Sequence, residues 1–190
     1  YKCNGVWTLI MYEANFPKKR YRKTLDFFKS FISKDENILD LGVKNPLSEI
    51  LIKEGYKITN TDGEDLDFNR SCIHNSDYSV ISAFQIFEHM LNPFQLLNEI
   101  KTDKLICSVP LKLWFANAYR NSHDIRDNHY HEFEIWQFKM LLNKTGWNVV
   151  AEEKFTNPIS KIGFRPILRL FAYRYLLIYA EKKSFKWRYM

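Results

Sequence analysis

Histidines and acids that could do chemistry gather in two stretches of this chain. Glu88-His89 follows the strand-like run at residues 79–84 after Gln85-Ile86-Phe87, and His123, His129 and His131 are interleaved with Asp124, Asp127 and Glu132. A histidine titrates near neutrality and can take a proton from a hydroxyl or an amine, so His89, His129 and His131 are candidate general bases. His131 is favoured over His89, because a histidine directly after a strand is more often held in place by core hydrogen bonds. The second cluster could instead bind a metal, but its spacing follows no recognisable ligand pattern, so no metal is expected. A third stretch points to ligand binding: Asn37-Ile38-Leu39-Asp40-Leu41-Gly42, followed by Tyr56-Lys57-Ile58-Thr59-Asn60-Thr61-Asp62. It reads as a buried strand, a glycine turn, a helix, and a second strand ending in an acid. Gly42 permits a sharp turn, helix N–H groups face the ligand, and Asp62 can accept hydrogen bonds from ribose hydroxyls. The implied ligand is adenosine-like.

Those residues need a scaffold, and the pattern supplies one. A helix over 18–32 carries Tyr21, Leu25, Phe28 and Phe31 or Ile32 on one face. It precedes strand 37–41, helix 46–54, strand 56–61, strand 79–84, helix 93–101 and strand 104–109. Strands alternating with helices imply a parallel sheet covered on both faces. Helix 133–144 then leads to strands 147–153 and 173–180, with no long crossover between them, so these two form an antiparallel pair at the sheet's edge. The fold class is α/β, Rossmann-like, with a mostly parallel sheet and an antiparallel C-terminal strand pair. One domain is expected: an N-terminal helical segment (1–35), a nucleotide-fold core (37–155), and a C-terminal edge strand with a basic tail (156–190).

Composition narrows the partners. The chain has 190 residues, 46% of them hydrophobic, enough for one core. No apolar run is long enough to span a bilayer and no signal peptide is visible, so the expectation is cytoplasmic. Cys3, Cys72 and Cys107 are odd in number and far apart, which favours reduced thiols. The net charge is +6, yet from Asp35 to Asp103 there are thirteen acids against five Lys or Arg. An acidic centre suits a ligand with ribose hydroxyls and a positive charge, while basic flanks suit an anionic partner. No nucleic-acid motif accompanies the basic C-terminal third, so no nucleic-acid partner is expected. A short amphipathic segment from Pro166 to Phe171 is expected instead, with Phe164, Ile167, Leu168 and Phe171 buried.

Over residues 37–155 the sequence resembles the class I S-adenosylmethionine-dependent methyltransferases, in particular their small-molecule group. The resemblance rests on Ile38-Leu39-Asp40-Leu41-Gly42, on Asp62, and on the run from Tyr78 through Glu88-His89 to Asn92-Pro93, which looks like the family's fourth strand and next helix start. Ser108-Val109-Pro110 after the fifth strand, and His131 before a helix ending in Gly146-Trp147, match as well. It implies S-adenosyl-L-methionine as cofactor, held by Asp40, Gly42, Asn45, Asp62, Asp65, Phe84 and Gln85. It also implies methyl transfer to a small-molecule or sugar-containing acceptor, with His131 or His89 as the base. Trp114, Phe115, Tyr119 and Tyr130 would wall the acceptor pocket. Two departures stand out. Gly42 is followed by Val43-Lys44-Asn45-Pro46 where further glycines are usual, and the short path from Asp62 to Ser79 leaves little room for a helix and third strand. Asp65-Leu66-Asp67 is read as a truncated strand there. The alternatives are an inactive, methyltransferase-like scaffold, or a basic nucleic-acid or membrane-surface module.

Overall fold

The computed structural model describes residues 18–75, 77–156 and 164–183, and the side chains of the last segment from residue 167. Calls on 1–17, on Pro158 and on the tail from 184 lie outside the described residues. Helix α1 (Lys18–Phe31) buries Tyr21, Thr24, Phe27 and Phe28, which fall on one face at helical spacing. Strand β1 (Asn37–Asp40) runs into the Gly42 turn and helix α2 (Pro46–Lys53). Asn45 caps α2: its side-chain oxygen accepts from Leu47 N at 2.9 Å and Ser48 N at 3.2 Å, and Ser48 Oγ accepts from Asn45 N at 2.9 Å. Then follow β2 (Lys57–Asn60), β3 (Val80–Phe84), α3 (Pro93–Glu99), β4 (Lys104–Pro110), α4 (Ile135–Lys144), β5 (Trp147–Phe155), α5 (Phe164–Phe171) and β6 (Tyr175–Lys182).

The six strands form one sheet in the order β2-β1-β3-β4-β6-β5. The first four are parallel, and β6 is antiparallel to both β4 and β5. Burial explains why the last strand lies inside the sheet and β5 at its edge. Residues Leu176 to Ala180 of β6 are all buried, as a strand covered on both faces requires, whereas β5 between its buried end residues Trp147 and Phe155 alternates between exposed and half-buried positions. Phe27 and Phe28 of α1 and Leu47 and Leu51 of α2 cover one face, packing with Ile38, Val80 and Ile106. Leu96 and Leu97 of α3 and Phe138 and Leu142 of α4 cover the other, with Leu39, Ile81 and Leu105.

Two expectations are corrected. Residues 65–67 form a turn: Phe68 N and Asn69 N both donate to Asp65 O, and Asp65 Oδ1 accepts from Asp67 N. The Asp67 carboxylate accepts from Leu91 N and Asn92 N at 2.7 and 2.8 Å, so this loop is tied to the start of α3 rather than to a strand neighbour. The amphipathic segment is indeed a helix, α5, but its apolar side chains are not buried among the described residues. Ile167 is 53% and Phe171 83% exposed, and Leu168 is half-buried. Both faces of the sheet are already covered by the other four helices, which leaves α5 no core to join. Phe164 lies outside the described side chains.

Candidate active site

The site lies where the parallel strands end. After β1 the chain turns at Gly42, whose φ of +112° is open only to glycine at low cost. Gly42 N donates to Thr61 Oγ1 at 2.8 Å, joining this turn to the end of β2. The Asp40 carboxylate is buried beneath it and accepts from Ser82 Oγ at 2.6 Å and Asn60 Nδ2 at 2.9 Å. Burial pushes this carboxyl up to about 7, against the opposing pull of those two hydrogen bonds. After β3, Gln85 takes a φ of +60°, costly for a residue with a side chain. Its backbone N–H donates to Ser108 O and its Nε2 to Ser108 Oγ, both at 3.0 Å, so β4 holds the strained residue in place.

Beyond Gln85, the loop between β4 and α4 folds back over Glu88 and His89. Tyr130 N and His131 N both donate to Glu88 O, at 2.7 and 3.2 Å, and His89 Nδ1 lies 3.1 Å from Asn128 O. His129 is thereby set edge-on against His89, ring centroids 4.9 Å apart. His129 Nδ1 lies 3.2 Å from Glu132 Oε1, and Arg174 Nη2 donates to the same oxygen at 2.8 Å. Burial works to raise the Glu132 carboxyl, but the hydrogen bonds from His129 and Arg174 outweigh it and hold it at about 2. Burial, helped by the neighbouring His129, lowers the pKa of His89 and favours its neutral form. Glu88 is 0% exposed, and neither of its carboxylate oxygens has a hydrogen-bond partner among the described residues. Burial pushes Glu88 up to about 8, with Arg20 and Arg174 opposing.

Two cavities meet at this point. One of about 460 Å³ is bordered by Gly42, Gln85, Glu88, His89 and His129, with Arg20, Tyr21 and Thr24 of α1 closing one side and Arg174 and Tyr175 another. A second, of about 490 Å³, extends beside the end of β2 along Thr61, Gly63, Glu64 and Asp65, and shares Gly42, Val43, Ile86, His89 and Asp127 with the first. Asp40, Gly42, Asn45, Phe84, Gln85 and His89 of the expected site all border the first cavity, and Asp65 borders the second. Asp62 is exposed and borders neither. His131 borders a third cavity of about 760 Å³, half-buried and stacked on Phe133. Of the four aromatic residues, Tyr119 borders the first cavity and Tyr130 the second and third, while Trp114 and Phe115 pack on each other away from all three.

The sequence reading missed Arg20, Glu64 and Arg174. Arg20 lies on the face of α1 that meets the cavity, its guanidinium 5.5 Å from the Tyr21 ring centroid and 5.4 Å from that of Tyr175. The i, i+4 pair of polar residues Arg20 and Thr24, set beside buried Tyr21, is the sequence signal that could have found this face. Glu64 directly follows Gly63, and its Oε2 is buried without a partner among the described residues.

This architecture is the class I S-adenosylmethionine-dependent methyltransferase fold. No protein-family model matches the sequence, and a search of curated proteins finds no match. Solved structures do match in shape. A chain from the complex between the Haloferax volcanii Trm112 methyltransferase activator and a methyltransferase superposes with a TM-score of 0.65 at 12% identity, covering 96% of this chain and 98% of its own. An S-adenosylmethionine-dependent methyltransferase from Archaeoglobus fulgidus gives 0.63 at 14% identity, over 93% of this chain and all of its own. The 1,6-didemethyltoxoflavin-N1-methyltransferase of Burkholderia thailandensis, with its substrate and S-adenosylhomocysteine bound, gives 0.56 at 14% identity, over 97% and 92%.

Proposed function

We propose that this chain is an S-adenosylmethionine-dependent methyltransferase acting on a small-molecule acceptor. The observation that carries the reading is the pair of adjoining cavities at the strand ends, one beside the Gly42 turn and the end of β2, the other bordered by α1 and the loop between β4 and α4. Open α/β sheets bind ligands at such strand ends. The adenosine fits the second cavity. Glu64, with its buried unpartnered oxygen, is better placed than exposed Asp62 to accept from the ribose hydroxyls. The amino-acid part of the cofactor then passes Gly42 and Gln85, and the sulfonium methyl points into the first cavity. At about 460 Å³ that cavity has the size of a small-molecule site.

Methyl transfer needs an aligned acceptor and little water, and a cavity walled on two sides by α1 and the loop between β4 and α4 favours both. His89 and His129, rather than His131, are the imidazoles facing that acceptor. Val43 takes a position where the resembling family usually has glycine, and it packs so closely on Gly63 that a Cβ there would lie 2.7 Å from Val43 Cγ1. We read this as a narrowed cofactor channel. Calorimetric titration of S-adenosylhomocysteine tests the proposal. One saturable site is expected, weakened by about 1–3 kcal/mol in Glu64→Gln. Absence of binding at millimolar ligand would favour the inactive scaffold.

A further inference from the structure

Glu88, His89 and His129 converge in a way that base catalysis leaves unexplained. One oxygen of Glu88 and one ring nitrogen of each histidine all lie within 4.8 Å of one another. Ligands about 2.1 Å from a tetrahedral ion stand roughly 3.4 Å apart, so small side-chain adjustments bring the three onto one ion. We propose that these three residues bind a divalent transition-metal ion of the zinc class, with its open positions facing the first cavity.

Three independent observations support the site. Glu88 is fully buried, yet neither carboxylate oxygen has a hydrogen-bond partner among the described residues. Such a group is costly unless something compensates it, and a cation does so directly. Each histidine also has an acceptor beside Nδ1: Asn128 O at 3.1 Å from His89, and Glu132 Oε1 at 3.2 Å from His129. An acceptor on one ring nitrogen fixes the orientation of a metal-bound imidazole and raises its basicity. Glu132 is itself anchored by Arg174, so the outer support is rigid. Finally, two imidazoles with one carboxylate form a donor set for zinc, iron, nickel or copper rather than for magnesium or calcium, and three protein ligands leave room for a fourth.

The consequence for substrate class rests on the transferase reading, although ion binding does not. An ion at this place faces the cavity assigned to the acceptor and suits an acceptor with an oxygen donor, a hydroxyl above all. On coordination the hydroxyl proton passes to solvent. The acceptor oxygen then forms a bond to the sulfonium methyl as the methyl carbon–sulfur bond breaks, leaving the methyl ether and neutral S-adenosylhomocysteine.

The test uses the full chain, stripped with a chelator and dialysed, then titrated with Zn²⁺ by calorimetry and with Co²⁺ by visible absorption. We expect one equivalent to bind at micromolar concentration or below, and the thermal midpoint to rise with Zn²⁺. His129→Ala, in a loop, and the isosteric Glu88→Gln should each weaken binding by at least about 100-fold. His123→Ala and His74→Ala should bind as the unchanged protein does. Thermal melts without metal identify any variant that fails to fold, and the conclusion then rests on the others. Absence of saturable binding below millimolar metal would overturn the proposal, as would equal binding by folded His129→Ala and Glu88→Gln. S-adenosylhomocysteine titrated into the stripped protein separates the two readings, since cofactor binding there stands or falls independently of the metal.

Discussion

The two sides of the site are built differently. On the cofactor side, the groups come from neighbouring turns that are tied together by hydrogen bonds: Asp40 is held by Ser82 and Asn60, and the Gly42 N–H by Thr61, while Glu64 alone keeps a buried oxygen without a partner among the described residues. On the acceptor side, Glu88, His89, His129, Glu132 and Arg174 come from distant parts of the chain, and a buried carboxylate is left without a partner. The first side is a hydrogen-bonded frame with one carboxylate oxygen left for a ligand. The second also holds an unsatisfied buried carboxyl, with both oxygens unpartnered among the described residues, the mark of a place where something else supplies the missing interaction.

The largest expected effect lies on the acceptor side. Glu132 gathers His129 and Arg174 onto one buried carboxylate, so Glu132→Ala leaves the Arg174 guanidinium unpaired and should lower stability by about 3–5 kcal/mol in denaturant titration. A loss below 1 kcal/mol would show that this hub does not hold the loop.

Acid response should separate the buried carboxyls by sign: Asp40 and Glu88 are both raised, whereas Glu132 is lowered. Asp40 has a folded pKa of about 7, above its unfolded value of 3.8, so between roughly pH 4 and 7 the folded chain holds more protons and stability falls as pH rises. The upper bound is about 4 kcal/mol, and Asp40→Asn should flatten that part of the profile. Glu132, held at about 2, acts in the opposite direction: its contribution is present above about pH 4.5 and is lost as pH falls through 2. Denaturant midpoints from pH 3 to 8 read both. An unchanged slope in Asp40→Asn would remove Asp40 as the source.

Smaller effects sharpen the comparison. Val43→Gly should open the cofactor channel and tighten S-adenosylhomocysteine by about three- to tenfold, read by calorimetry. Weaker binding would mean that Val43 contacts the ligand. His131→Ala should change stability by less than about 0.5 kcal/mol and leave cofactor affinity unaltered, since His131 borders a different cavity. A large loss of methyl transfer in that variant would return the base to His131.

The difference also explains what the sequence reveals. The strands and α1 to α4 follow local periodicity, and the Gly42 turn with its Asn45 cap is written in consecutive residues, so both are legible to within a few positions. The placement of β6 between β4 and β5 follows from its unbroken apolar run, a sheet-level consequence that residue periodicity alone does not assign. Residues 65–67 look strand-like, but Asp67 is claimed by the start of α3. The exposure of Ile167 and Phe171 depends on which faces other helices already occupy. Glu132 and Arg174 are 42 residues apart, and only the fold brings them together.

The most direct measurement of the central claim is the crystal structure of the protein with S-adenosylhomocysteine. We expect the adenosine in the cavity beside Gly63 and Glu64, the ribose hydroxyls on Glu64, and the sulfur between Gly42 and His89, facing the cavity that Glu88 and His129 enclose. Adenosine bound anywhere else, or a sulfur turned away from that cavity, would contradict it.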